Sequence, residues 1–372
     1  MSDLKQRLHK LDLAEAPDVW VDASTRIVQR SPELDDQDLV HPLSRIVTVV
    51  VSLAISLVAI GLLVVAFAPN PHPGPNNPAS PPTNGPVIDT AIPDGAIVFS
   101  SSTAEGTQTN LYFVSPEGGP ASAITGVPAD VSVDEVAWAP DGMHLAFVMG
   151  PAQHLHAYAG DANLYVLDLS TGSLVRLTKG LEVASPSWSP DGRQIVFVAG
   201  QGTTLEVINA DGTGRHTVAD ARGYYQRPSW SPDGSVIAFQ SSPDRTSEQT
   251  AVFTIRPDGT GERQLTPGTA SEGFPSWSPD GTRIVYSAAE RLWIMNGDGS
   301  HERALAEECH LPCVADFSPK WSPDGKRIVF VRQEDGGAAT RLYTVDLSSG
   351  EINALTPNLD WVGAAAWRSV PS

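Results

Sequence analysis

Nucleophilic catalysis by serine has a recognisable sequence pattern that this chain lacks. A serine hydrolase of the α/β type carries its nucleophile in a G-x-S-x-G turn between a strand and a helix, followed by an acidic residue and a histidine. No such pentapeptide occurs here. The serines of the recurring Ser-Pro-Asp-Gly segments are expected in tight turns, since Pro, Asp and Gly each favour turn geometry. The chain is therefore expected not to be an enzyme.

Three groups of residues could in principle bind a metal: the recurring aspartates, the cysteine pair and a histidine pair. No metal or other cofactor is expected at any of them. A calcium loop needs several oxygen ligands converging in one segment, as in D-x-[DN]-x-[DN]-G. The recurring acidic residues stand one per turn instead, so they are expected to stabilise turns. They are Asp141, Asp191, Asp233, Asp280 and Asp324.

The cysteine and histidine positions leave two readings open. Cys309 and Cys313 flank His310, but C-x3-C is not the usual zinc spacing and no second ligand pair exists. A local disulfide between the two cysteines is the expectation for a compartment outside the cytoplasm. His154 and His156, near Tyr158, could present two imidazoles, but no third ligand can be named and a surface loop is expected.

The charge balance bears on the class of partner. The net charge is −19, with 43 acidic residues against 24 Lys and Arg. Binding to nucleic acid requires clustered cations that neutralise phosphates, so no nucleic-acid partner is expected.

The elements that would position any site are repeats. Trp-Ser-Pro-Asp-Gly, followed by alternating apolar residues, recurs as WAPDGMHLAF (138–147), WSPDGRQIVF (188–197), WSPDGSVIAF (230–239), WSPDGTRIVY (277–286) and WSPDGKRIVF (321–330). The repeat tryptophans are spaced by 50, 42, 47, 44 and 46 residues, and this period predicts a β-propeller. They are Trp138, Trp188, Trp230, Trp277, Trp321 and Trp367.

Each repeat predicts one four-stranded antiparallel blade. A strand ends at the tryptophan, a tight turn follows, and the next strand alternates apolar residues such as Ile195 and Phe197. The first repeat (93–99) lacks a tryptophan strand, while the last segment (364–369) consists of that strand alone. The C-terminal strand is therefore expected to complete the N-terminal blade, giving six blades with 1+3 closure.

These repeats resemble the TolB-like β-propeller family, whose repeats read xWSPDGxxIaF, over residues 93–369. The resemblance implies an all-β, six-bladed fold. It implies function only by analogy, since members include both binding proteins and the propellers of peptidases. The separate N-terminal α/β domain of TolB and the hydrolase domain of the peptidases have no counterpart in this sequence.

Ligand-binding residues are expected on the loops that join blades, because these loops border the central channel. Aromatic and charged side chains there are typical anchors of binding sites. The candidates are Tyr224, Tyr225, Arg227, Glu272, Phe274 and Trp361.

An apolar segment precedes the repeats. Residues 46–68 contain no charge and are long enough to cross a bilayer as a helix. Residues 1–45 contain six Lys or Arg, and the next cation is Arg176, so the tail is expected in the cytoplasm. The sequence thus predicts a cytoplasmic tail (1–45), a single transmembrane helix (46–68), a Pro-rich linker (69–87) and an extracytoplasmic propeller (88–372).

The expected function is that of a non-catalytic binding or scaffold module tethered to the cell membrane. Its expected ligand is a protein or peptide, or else an envelope glycan. Two alternatives remain: a transmembrane sensor that signals through the tail, and a propeller hydrolase or lyase with a site at the channel mouth. The sequence leaves the oligomeric state open.

Overall fold

The computed structural model describes residues 92–369 except 103–108, 125–130, 152–161, 221–222, 243–246, 248, 306–313, 335–338, 357–358 and 360. The predicted tail (1–45), transmembrane helix (46–68) and linker (69–87) lie outside the described residues, as do Cys309, Cys313, His154 and His156. In the part of the chain that is described, no helix is long and apolar enough to span a bilayer.

The described residues form six four-stranded antiparallel sheets. Blade 1 contains β1 (Ile97–Ser102), β2 (Thr109–Val114), β3 (Ser122–Ala123) and β24 (Val362–Trp367). Blade 2 contains β4 (Val131–Trp138), β5 (His144–Pro151), β6 (Asn163–Asp168) and β7 (Ser173–Arg176). Blade 3 contains β8 (Ala184–Trp188), β9 (Gln194–Ala199), β10 (Thr204–Asn209) and β11 (His216–Ala219), with a 3-10 turn at Gly200–Gly202.

Blade 4 contains β12 (Tyr224–Trp230), β13 (Ile237–Ser242), β14 (Ala251–Ile255) and β15 (Arg263–Gln264). Blade 5 contains β16 (Gly273–Trp277), β17 (Arg283–Ala288), β18 (Arg291–Asn296) and β19 (Arg303–Ala304). Blade 6 contains β20 (Ala315–Trp321), β21 (Arg327–Glu334), β22 (Ala339–Asp346) and β23 (Ile352–Ala354).

The blades close into a ring. The innermost strands β24, β4, β8, β12, β16 and β20 contact one another in that order, and β20 contacts β24. Within blade 1, Ile97 of β1 pairs with Trp367 of β24, so the first and last strands are neighbours. This pairing confirms the predicted closure and leaves no open sheet edge between the two chain ends.

The core lies between adjacent blades, because alternate residues of each strand face a neighbouring sheet. Ala146 and Leu164 of blade 2, for example, pack in one cluster with Trp188, Ile195 and Phe197 of blade 3. The Trp188 indole N–H also donates to the Ala137 carbonyl of blade 2, at 3.1 Å. The repeat tryptophans thus join blades.

The Ser-Pro-Asp-Gly turns are closed by their own side chains. The Ser278 hydroxyl donates to Asp280 at 2.6 Å and accepts the Arg283 amide N–H at 2.9 Å. The Thr282 amide donates to the same carboxylate at 3.0 Å. These bonds lower the pKa of Asp280 to about 2, the Ser278 hydroxyl having the largest effect. The turn aspartates therefore act in turn formation, as predicted.

Candidate functional site

The innermost strands carry a repeated backbone irregularity. In each of them the pairing with the next strand shifts register just before the tryptophan. The residue three positions before the tryptophan has a left-handed φ in five blades. These residues are Glu135 (φ 50°), Ser185 (54°), Arg227 (51°), Phe274 (54°) and Ser318 (55°). A left-handed φ is unfavourable for residues with a side chain. Its recurrence at the same position of five blades indicates that the irregularity is a regular feature of this fold.

This backbone irregularity brings six side chains to one level of the channel. The five residues above and Ala364 of β24, which takes the sixth position, line the same constriction. Its free volume is about 30 Å³, roughly the space of one water molecule. We call this level the bulge ring.

A salt bridge crosses the bulge ring. Arg227 Nη1 of blade 4 donates to Glu135 Oε1 of blade 2. Glu135 is only 5% exposed, whereas the Arg227 side chain is 27% exposed. The Ser185 amide donates to the other Glu135 oxygen, so the carboxylate is engaged from two blades. This geometry closes the channel at mid-height.

An aromatic surface lies beside the salt bridge. The Arg227 guanidinium stands over the Phe274 ring, 5.0 Å from its centroid. Phe274 in turn packs on Phe317 of blade 6, with 5.8 Å between ring centroids. A guanidinium over a ring is attracted by the ring quadrupole, which fixes the orientation of both groups.

A second carboxylate adjoins Glu135. Asp134 Oδ1 accepts hydrogen bonds from the Ser100 hydroxyl at 2.7 Å and from the Glu135 amide at 2.8 Å. Burial and the neighbouring Glu135 charge raise the pKa of Asp134. Strand β4 therefore carries two consecutive carboxyl groups in different environments, of which Glu135 lines the bulge ring.

A lysine lies on the tryptophan side of the bulge ring. Lys320 of β20 immediately precedes Trp321 and lines the channel. Burial and repulsion from Arg227 lower its pKa to about 8, and attraction to Glu135 opposes this.

Two of the six sequence candidates meet in the bulge ring, namely Arg227 and Phe274. Two others are held in structural contacts. Tyr225 is 2% exposed and packs on Phe239, with 5.7 Å between ring centroids. Glu272 is 3% exposed and accepts amide N–H groups of Gly268 at 2.6 Å and Thr269 at 3.1 Å.

The last two candidates are partly exposed at the end of the channel where chain segments enter the innermost strands. Tyr224 is the first residue of β12, and its ring covers Gly202 of blade 3. Trp361 directly precedes β24, and its carbonyl accepts the Ser101 hydroxyl at 2.6 Å. We call this end of the channel the loop mouth and the opposite end, where the strands reach their tryptophans, the turn mouth.

Sequence reasoning missed Asp134, Glu135, Ser185 and Lys320. The signal was present in the repeats themselves. Aligning them on the tryptophan places Glu, Ser, Arg, Phe, Ser and Ala three positions earlier, and Lys320 among Ala and Ser one position earlier. Among the described residues, no group of three or more His, Cys, Asp or Glu side chains could hold a metal ion.

Comparison with known proteins agrees with the repeat pattern. The model of the TolB β-propeller domain family matches residues 137–312. No match was found among curated protein sequences.

Several solved structures share the fold. TolB from Acinetobacter baumannii is 20% identical, with a TM-score of 0.59 over 74% of this chain and 67% of that one. A chain of the nidogen–laminin complex is 15% identical, with a TM-score of 0.56 over 74% and 98%. A TolB-like protein from Agrobacterium tumefaciens is 17% identical, with a TM-score of 0.52 over 74% and 99%. The repeats, the family model over residues 137–312 and the six-bladed ring together show that this chain contains a TolB-like β-propeller.

Proposed function

We propose that this propeller is a non-catalytic binding module that holds a protein or peptide segment at the loop mouth. The observation that carries the proposal is the position of Phe274 and Arg227. The backbone irregularity directs both side chains into the channel, where they form a rigid floor. Because the bulge ring leaves only about 30 Å³, a ligand would rest on this floor and not pass through the ring.

The chemistry of this floor suits a peptide. Phe274 offers an aromatic face, while Arg227 and Glu135 offer a hydrogen-bond donor group and an acceptor group held in place by each other. Sites that combine aromatic anchors with a few oriented polar groups are typical of ligand recognition. Tyr224 and Trp361 supply further partly exposed aromatic surface at the same end. Protein binding is also common among TolB-like propellers.

Site-specific photo-crosslinking in cells tests this placement. A photoreactive phenylalanine analogue at position 361 is expected to yield a discrete crosslinked species, which Phe274→Ala reduces. The same analogue at Trp293, on β18 of blade 5 and away from the innermost strands, serves as the matched control. Equal crosslinking from 361 and 293, or no effect of Phe274→Ala on a correctly folded protein, would remove the loop mouth as the site.

We further propose that residues 46–68 anchor the propeller outside the cytoplasm, on the strength of the apolar run and the six cations that precede it. The test uses a Cys309→Ser, Cys313→Ser background with one new cysteine. Val175→Cys, at a side chain that is 44% exposed, should react with a membrane-impermeant maleimide on intact cells. Ser24→Cys should react only after permeabilisation. The reverse pattern would overturn the orientation.

A second candidate, catalysis at the channel, is favoured by the two carboxyl groups Asp134 and Glu135 beside Arg227. Adjacent carboxyl groups in different environments are typical of acid–base sites. An activity screen on peptides and oligosaccharides distinguishes the binding module from the enzyme. Turnover that is lost in Asp134→Asn, with ligand capture retained, would favour the enzyme. Signalling through the tail, the third candidate, requires a specific cytoplasmic partner that residues 1–45 recover.

A further inference from the structure

The channel has a second layer of repeat positions on the turn-mouth side of the bulge ring. The residue immediately before each tryptophan lies here, and in five blades it is small. These residues are Ala137, Ser187, Ser229, Ser276 and Ala366, and the sixth is Lys320. One long cationic side chain therefore occupies a layer in which every other blade leaves space.

This layer is the floor of a cup that opens at the turn mouth. The cup has a volume of about 390 Å³, within the range of small-molecule sites. All six repeat tryptophans and the prolines of the turns line it. The bulge ring closes its base, so the cup is separate from the loop mouth proposed above as the ligand site.

The ammonium group of Lys320 is unpaired within the part of the chain that the structure describes. Among the residues that the structure describes, none hydrogen bonds or forms an ion pair with its ammonium group. The charges that act on it are those of Arg227, which repels it, and Glu135, which attracts it but is already engaged by Arg227 and Ser185. A partly buried cation without an anion is unfavourable, and an anion in the cup would relieve this cost.

We propose that the cup binds a monocarboxylate with an apolar body, whose carboxylate pairs with Lys320 and whose body lies among the indoles. A single cation matches a single negative charge. The turn aspartates of the same face, such as Asp233 and Asp324, have lowered pKa values and stay ionised at neutral pH, which disfavours polyanions such as nucleotides. The hydroxyls of Ser229 and Ser276 on the same layer supply neutral donors.

Calorimetric titration of the purified full-length chain with 3-phenylpropionate tests the proposal. The acid is expected to bind, and its amide, 3-phenylpropionamide, at least about tenfold more weakly, since only the acid can pair with the ammonium. A Gly-Gly-Phe peptide with a free or an amidated C-terminus distinguishes the two sources of this chemistry. If the peptide with a free C-terminus binds more tightly than phenylpropionate, the ligand class is a protein C-terminus. If phenylpropionate binds more tightly than that peptide, the ligand class is a small organic acid.

Substitutions of Lys320 test whether this residue binds the carboxylate. Lys320→Met, which keeps length and removes charge, should weaken binding of the acid at least about tenfold, and Lys320→Arg should retain it. Lys326→Met, at an exposed lysine of the neighbouring turn, is the matched control and should bind normally. Equal binding of acid and amide, unchanged binding by Lys320→Met, or no binding of any probe by the wild-type chain would overturn the proposal. None of these outcomes affects the crosslinking test at the loop mouth.

Discussion

Arg227 of the fourth blade forms a salt bridge with Glu135 of the second, reaching past the third blade that lies between them. The Ser185 amide of that third blade donates to the same carboxylate. Three consecutive blades are therefore joined at the channel by one acidic side chain. The arrangement sets the spacing of these blades at the channel.

Replacing Arg227 by Met should lower the free energy of unfolding by about 3 kcal/mol, because it leaves Glu135 buried without its cation. The double variant Arg227→Met, Glu135→Gln should recover part of that loss, since it also removes the buried charge. Urea unfolding followed by tryptophan fluorescence measures both. Arg263→Met is the control, because Arg263 is exposed and donates to the Asp298 carbonyl at 2.8 Å, so its removal leaves no buried charge and should cost less than about 0.5 kcal/mol. An equal loss in both arginine variants would contradict this account.

The closing strand should be a weak point of the ring. Trp367 pairs with Ile97 in register, and the Arg327 guanidinium of blade 6 stands 5.2 Å from the centre of its ring. Trp367→Ala should therefore cost about 3–5 kcal/mol and free both chain ends. Hydrogen exchange should rise first in β24 and β1. Trp293→Ala, at a partly exposed indole of blade 5 far from the closing strand, should cost less and leave exchange in β1 unchanged. Uniform acceleration in all blades would argue against a local opening.

The architecture was predictable because its determinants are local and repeated. The turn residues around Asp280 specify a tight hairpin by bonds within six residues. The same Ser-Pro-Asp-Gly sequence occurs four times, and a fifth copy has Ala139 in place of the serine. The apolar alternation then assigns each strand a face. The pairing of Ile97 with Trp367 followed because the first repeat lacked the strand that the last one supplied.

The site was only partly predictable, for a physical reason. Tyr225 and Arg227 are two positions apart, so alternation would place both on one face of the strand. The register shift after Gln226 and the left-handed φ of Arg227 separate them, so that Tyr225 enters the core and Arg227 the channel. A backbone irregularity of this kind has no single residue signature. The pairing of Arg227 with Glu135, 92 residues away, depends on it.

The turn aspartates should contribute stability that is lost in acid. Asp280 has a pKa of about 2 in the folded chain against an ordinary value of 3.8, so its contribution is present above about pH 4 and disappears as pH falls towards 2. Asp280→Ala should cost about 1 kcal/mol at pH 7, because it removes the acceptor of the Ser278 and Thr282 groups. Urea unfolding at pH 7 and at pH 2.5 should show that the difference between wild type and variant shrinks.

The control for this turn is Asp220→Ala, at an exposed residue in the loop before β12, which should change stability by less than about 0.5 kcal/mol. A difference between Asp280→Ala and wild type that stays constant down to pH 2.5 would show that the carboxylate acts by something other than its ionised form.

Lys320 should also make stability rise with pH, but in the alkaline range and because the fold disfavours its charged form. Its pKa of about 8 in the folded chain lies below the ordinary lysine value of 10.5, so the unfolded chain binds more protons between these two pH values. The free energy of unfolding should therefore rise as pH increases from about 8 towards 10.5, by up to about 3 kcal/mol. In Lys320→Met the rise should be absent, and at pH 7 the variant should be more stable than wild type because a desolvated charge has been removed.

Urea unfolding of both proteins at pH 7, 8, 9 and 10 measures the effect. Parallel curves for wild type and Lys320→Met would show that the ammonium is fully hydrated in the cup, and the monocarboxylate site would then lose its main electrostatic support.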